Sequence, residues 1–198
     1  MTPARGFVVV ALLAGGLAGC GPGAPLPQTY VLPDPAAADP PPVSQVSMPI
    51  IVVRPVGVPD YLDSNDIVAR GADGLIVARQ SARWGERLSV GLTRAVIERL
   101  AARFPQCLVT TSPPMRQPRW RVRVEVEALD IGAEGPAMLT ARWNIADGAT
   151  GNIVAAERLT LSTPGDLRSD AATVAAIGRD VDQLVERIAD ALAPAIGR

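Results

Sequence analysis

Residues 119–132, RWRVRVEVEALDIG, constrain the fold of this chain more than any other stretch. Side chains alternate along an extended strand, so Trp120, Val122, Val124 and Val126 share one face. Arg119, Arg121, Arg123, Glu125 and Glu127 share the other. A strand apolar on one side and charged on the other belongs to an antiparallel sheet with one face on a core and one in water. The arginine row invites a phosphate-binding role toward nucleic acid or lipid. The interleaved glutamates favour a plainer one, a solvated face on which Arg and Glu pair across strands.

The rest of the chain supplies partners for that strand. Residues 137–145 and 153–161 are two more strand candidates, separated by ADGATGN, a hairpin connection. Upstream, PIIVVRPVGVP (49–59) is a β-branched run suited to a strand buried on both faces. Short strands are expected at 67–70 and 75–79, around the turn tetrapeptide Gly71-Ala72-Asp73-Gly74, and another at 107–111. Two helices are expected. Over 82–104, Trp84, Leu88, Leu92, Val96 and Leu100 recur every four residues, and Pro105 ends the run. Over 170–193, Val174, Ile177, Val181, Leu184, Val185, Ile188 and Leu192 form one continuous stripe. Strands, helix, strands, helix predict an α/β fold: a two-layer sandwich, a mixed sheet with two helices packed on one face.

The N-terminus has a different character. FVVVALLAGGLAGCG (7–21) is apolar, but as a helix residues 7–18 would rise only about 18 Å against a hydrocarbon core of roughly 30 Å. Arg5 precedes it and small residues follow, which describes an export signal. Leu17-Ala18-Gly19-Cys20 resembles the lipobox of bacterial lipoproteins, in which the cysteine is acylated and becomes the new N-terminus. Two or three acyl chains hold a protein stably, where one does so only marginally. Gly21, rather than Asp, follows the cysteine, and by the rule for such lipoproteins the destination is the outer membrane. The expected organisation is a signal peptide at 1–19, an acylated Cys20 with a tether at 20–28, and one folded domain at 29–196. The tether reaches about 25 Å if extended. Residues 30–32 make a short first strand, and a proline-rich surface loop follows over 33–47.

Composition narrows the chemistry. The chain has no histidine, and all nineteen basic residues are arginine. This removes Ser-His-Asp and Cys-His catalysis, His-ligated metals, Schiff-base lysines and the phosphate-loop lysine. The mature chain carries 18 Arg against 20 Asp and Glu, which argues against nucleic acid as a partner. With Cys20 acylated, only Cys107 is left, so neither an internal disulfide nor a thiolate metal site is expected. Asp60, Asp63 and Asp66 lie three apart, but their spacing does not match a calcium loop and suits turns and caps. An alternative is a carboxylate-dependent periplasmic hydrolase using Asp60, Asp63 and Glu86. It requires a deep pocket holding two carboxylates of separated pKa.

VGVPDYLDSNDIVAR (56–70) and LIVARQSARWGERL (75–88) together resemble the ABC-type transport auxiliary lipoproteins, most closely their PqiC (paraquat-inducible) branch. The resemblance rests on Val58-Pro59, Tyr61-Leu62-Asp63, Ile67-Val68, Arg70, Arg83-Trp84, Glu86 and Leu88, with Tyr30-Val31-Leu32 at the start of the domain. The chain departs from the family pattern at Ser64-Asn65-Asp66, where Arg-Pro-Gln is common. The resemblance implies an outer-membrane-anchored, non-catalytic auxiliary protein without a cofactor. Its implied partner is an MCE-type periplasmic protein of an inner-membrane lipid transporter, with a homo-oligomeric ring as a further form of assembly. Tyr61, Leu62, Asp63 and Trp84 are the candidate partner-binding residues. The same side chains would alternatively close one end of the core or cap a local turn.

Overall fold

A computed structural model describes residues 26–33, 48–70, 74–112, 115–131, 136–164 and 169–196. The signal peptide, Cys20, the first part of the tether, most of the 33–47 loop and Gly71-Ala72-Asp73 lie outside these residues. The described elements run β1 (Gln28–Tyr30), β2 (Ile50–Val53), β3 (Asp66–Arg70), β4 (Ile76–Trp84), α1 (Leu88–Arg103), β5 (Leu108–Thr110), β6 (Trp120–Ile131), β7 (Ala137–Asp147), β8 (Ile153–Thr163) and α2 (Asp170–Ile196).

The architecture is the expected α/β sandwich, with its strands divided between two mixed sheets rather than one. Five strands take the order β5-β2-β6-β7-β8, and three take the order β1-β4-β3. The division follows from β2. It is paired in parallel on both sides, with β5 and with β6, so it offers no edge to the β3–β4 hairpin. All four of its residues are buried, as its β-branched run requires. Pro55 lacks an N–H and ends β2 well before residue 59. The chain rejoins β6 once more at Gly57, which bridges Glu125.

β6, β7 and β8 form an antiparallel meander. Trp120, Val122, Val124 and Val126 face the core, and beyond them the inward positions are Leu129 and Ile131. A register shift between Val126 and Ala128 accounts for this change of parity. On β7, Ala137, Leu139, Ala141, Trp143 and Ile145 are buried beneath α2, whose seven expected stripe residues are all buried too.

The first helix starts later than its apolar spacing suggests. Residues 82–84 belong to β4, and α1 begins at Leu88. The cause is β1, which pairs in parallel with β4 (Gln28↔Ala82, Tyr30↔Trp84) and holds those residues extended. Trp84 N–H donates to the Asn65 carbonyl at 2.7 Å and Gly85 N–H to that of Tyr30 at 2.6 Å. Trp84 and Leu88 both reach the core, one from a strand and one from a helix, and so mimic a helical repeat. β1 ends at Tyr30, and Leu32 then buries its side chain in the core. Pro33 lies against α2 at Gly178, where an added Cβ would stand 3.3 Å from the proline ring.

Candidate partner-binding loop

Between Gly57 and β3 the chain makes tight successive turns. Leu62 N–H donates to the Pro59 carbonyl at 2.9 Å, and Ser64 N–H to that of Leu62 at 2.9 Å. These turns lay the loop against the start of α1, and Leu88 N–H donates to the Ser64 carbonyl at 3.3 Å. The four candidate residues therefore gather at one end of α1, with different surroundings. Leu62 and Trp84 are core residues, 2% and 5% exposed. Tyr61 is half-buried: its hydroxyl accepts a hydrogen bond from Arg70 Nη2 at 2.6 Å, and the same guanidinium sits 5.3 Å from the ring centroid.

Asp63 caps the helix. Its Oδ1 accepts the Ser89 N–H at 3.1 Å, and its Oδ2 pairs with Arg87. The residue at the cap position itself, Arg87, has no side-chain hydrogen bond to the helix, so a carboxylate from a distant loop satisfies one of the unpaired N–H groups. Burial acts to raise the Asp63 pKa. Hydrogen bonds from the Ser89 side chain and backbone, together with Arg87, outweigh it and hold the carboxyl below its usual value. The residues that depart from the family pattern make local bonds. Ser64 Oγ accepts the Asp66 N–H at 3.1 Å, and Asn65 Nδ2 donates to the Trp84 carbonyl at 3.2 Å.

Two of the three carboxylates of the hydrolase alternative are otherwise engaged. Asp63 caps α1, and Glu86 pairs with Arg94 at 2.9 Å. A hollow of about 610 Å³ lies on the charged face of the large sheet, and another of about 440 Å³ lies between the helices beside Pro33. Neither is lined by Asp60, Asp63 or Glu86. On the charged face the expected cross-strand pairing is present: Glu125 on β6 pairs with Arg142 on β7, and Glu127 with Arg158 on β8 at 2.8 Å. Arg123 adds a pair along β6 itself, 2.8 Å from Glu125. The Arg142 hydrogen bond is the main cause of a lowered Glu125 pKa.

Sequence reasoning missed Arg99, which is only 9% exposed. It donates to the Pro33 carbonyl at 3.0 Å and pairs with Asp182, tying the entering chain to both helices. Its position beside Leu100, off the apolar stripe, carries no signal of this. It also missed Asp180, wholly buried within α2, whose only trace in the sequence is a charge inside an apolar stripe.

A family model described as ABC-type transport auxiliary lipoprotein component matches residues 30–189, nearly the whole described domain. The chain belongs to this family. As a member it is a lipoprotein and an auxiliary component of transport, and no described helix is long and apolar enough to cross a membrane. Membership of a lipoprotein family fits a lipid-anchored periplasmic protein. Two solved structures share the fold of this auxiliary lipoprotein. One, described as an uncharacterized protein, is 20% identical with a TM-score of 0.67, over 84% of this chain and 98% of its own. The other, a Xanthomonas campestris protein of family DUF330, is 18% identical with a TM-score of 0.62, over 87% and 98%. No curated protein matches the chain.

Proposed function

We propose that this lipoprotein is acylated at Cys20, held at the periplasmic face of the outer membrane, and serves as a non-catalytic docking subunit of an MCE-type lipid transport system. The observation that carries the reading is the family match, which spans the domain from its first strand into its last helix. The loop around Tyr61 supports it. Its turns are fixed by Asp63 and by the buried Leu62, so a half-buried aromatic is presented on a rigid frame. A ring of identical copies belongs to the same reading, and β8, an eleven-residue strand at the edge of the large sheet, offers backbone groups to a neighbour.

Tyr61 alone is the right probe, because removing Leu62 would cavitate the core. Tyr61→Ala should be exported, acylated and folded, yet recover several-fold less of an MCE-domain protein when membranes are solubilised and the lipoprotein is captured. Mass spectrometry identifies the recovered protein, and circular dichroism checks the fold. Wild-type chain that recovers no MCE-domain protein would refute the partnership. Undiminished recovery with Tyr61→Ala would move the contact elsewhere. Cys20→Ala should abolish labelling by a fatty-acid analogue.

A further inference from the structure

We propose that the tip of the β3–β4 hairpin, at Leu75, Ile76 and Val77, rests in the surface of the lipid bilayer that holds the acyl chains. The inference rests on the acylation of Cys20 proposed above. Leu75, Ile76 and Val77 are 60%, 40% and 52% exposed. Ile76 and Val77 are consecutive strand residues and point to opposite faces, so both faces of the first residues of β4 are exposed, with Leu75 exposed just before them.

The course of the chain brings the membrane to this tip. β1 is parallel to β4, with Gln28 opposite Ala82. Followed toward its N-terminus, the chain therefore runs along β4 in the direction of Ile76, away from Trp84. Continued two residues beyond the paired strand, that register would set Leu26, which is 90% exposed, level with Gln80. From Gln80 to Leu75 is five residues of strand, about 17 Å at ~3.3 Å each. From Leu26 to Cys20 is six residues, which span at most about 20 Å. The two lengths match. Fully extended, that segment would carry an acylated Cys20 to the level of the tip and not far beyond it.

The hairpin is braced in that position. Arg79 pairs with Asp170 at the start of α2 at 2.9 Å, and Arg70 pairs with Asp130 near the end of β6 at 3.3 Å. These charges neutralise one another. Beside the half-exposed Arg70–Asp130 pair, the exposed side chains at the start of β4 are apolar, and Met138 near the start of β7 adds to them at 39% exposed. A contact of this kind needs no anionic lipid. Its consequence is orientation: acyl chains alone let the domain swivel, whereas a second contact points the opposite end, with its Asp147–Gly151 turn, into the periplasm.

The test uses the full-length protein purified from membranes, with the acyl chains on Cys20 established by mass spectrometry. It is reconstituted into phosphatidylcholine vesicles with a nitroxide at Ile76→Cys, or at Ala149→Cys in the far turn. Both sites are exposed or nearly so, and Cys107 is buried and does not compete for the label. Collision with oxygen, relative to a water-soluble nickel chelate, should be several-fold higher at residue 76 than at residue 149. The difference should persist when phosphatidylglycerol is added. Equal ratios in acylated protein would overturn the proposal and leave the anchor standing. Low collision with both reagents at residue 76 would mean a protein covers the tip, and would overturn it too. Absence of acyl chains would refute the anchor and the proposal together.

Discussion

Asp63 and Asp180 are driven in opposite directions by their surroundings, and their mutants should show it. The folded pKa of Asp63 lies below its unfolded value, so its cap stabilises the protein above the ordinary carboxylate range. That stability is lost as the pH falls through the folded value. Asp63→Ala should cost about 1 kcal/mol near neutrality and progressively less in acid, read from urea unfolding across a pH series. Asp180 is completely buried; Thr163 Oγ1 donates to its Oδ1 at 2.5 Å, while Oδ2 has no hydrogen-bond partner. Burial pushes its pKa up, against smaller opposing effects of the Thr163 hydrogen bond and the Arg179 charge. With the folded value raised, the folded state holds its proton longer than the unfolded state, and stability declines as pH rises between the two values. Asp180→Asn, which cannot ionise, should be more stable than wild type at neutral pH, and the gain should vanish below about pH 4. A gain that persists in acid would contradict this account. The sequence suggested a turn or cap for Asp63 but not the helix it caps, and carried no sign of the role of Asp180. Asp63 caps a helix 26 residues away, whereas cap patterns are sought within a few residues of the helix start.

Among the elements, legibility depended on whether a periodic face met a single surface. α2 lies on the large sheet along its length, and every one of its seven stripe residues is buried. Leu184, 1% exposed, sits in the middle of that stripe. Leu184→Asn should cost on the order of 3 kcal/mol or more, through lost burial and a buried amide without partners. An unchanged melting temperature in a thermal scan would contradict the packing of α2. The charged alternation of β6 was equally plain, down to the Arg–Glu pairs on its outer face. The start of α1 was not, because β1, more than fifty residues upstream, decides whether 82–84 are strand or helix. A local pattern cannot carry that information. The bulge after Val126 was hidden for the same reason, since register is a property of two strands.

At the scale of the molecule, strand and helix order disclosed the sandwich but not the division into two sheets, which depends on both edges of β2 being taken. The words of the 56–70 segment pointed to the family that the match over 30–189 establishes. They could not separate Leu62 and Trp84, which fill the core, from Tyr61, which keeps some surface, because burial is decided by tertiary packing. The parallel pairing of β1 with β4 has a mechanical consequence. In the proposed arrangement, anchored in a membrane and bound by a partner across the periplasm, the protein would bear tension through its N-terminal strand. Because β1 is parallel to β4, a pull on its N-terminal end along the strand axis would load the β1–β4 hydrogen bonds in shear, all together, rather than peeling them apart one by one. Behind them, buried Leu32 and the Arg99 grip on the Pro33 carbonyl act as a stop. Force on the proposed anchor would thereby pass into the core of the domain instead of unravelling its first strand.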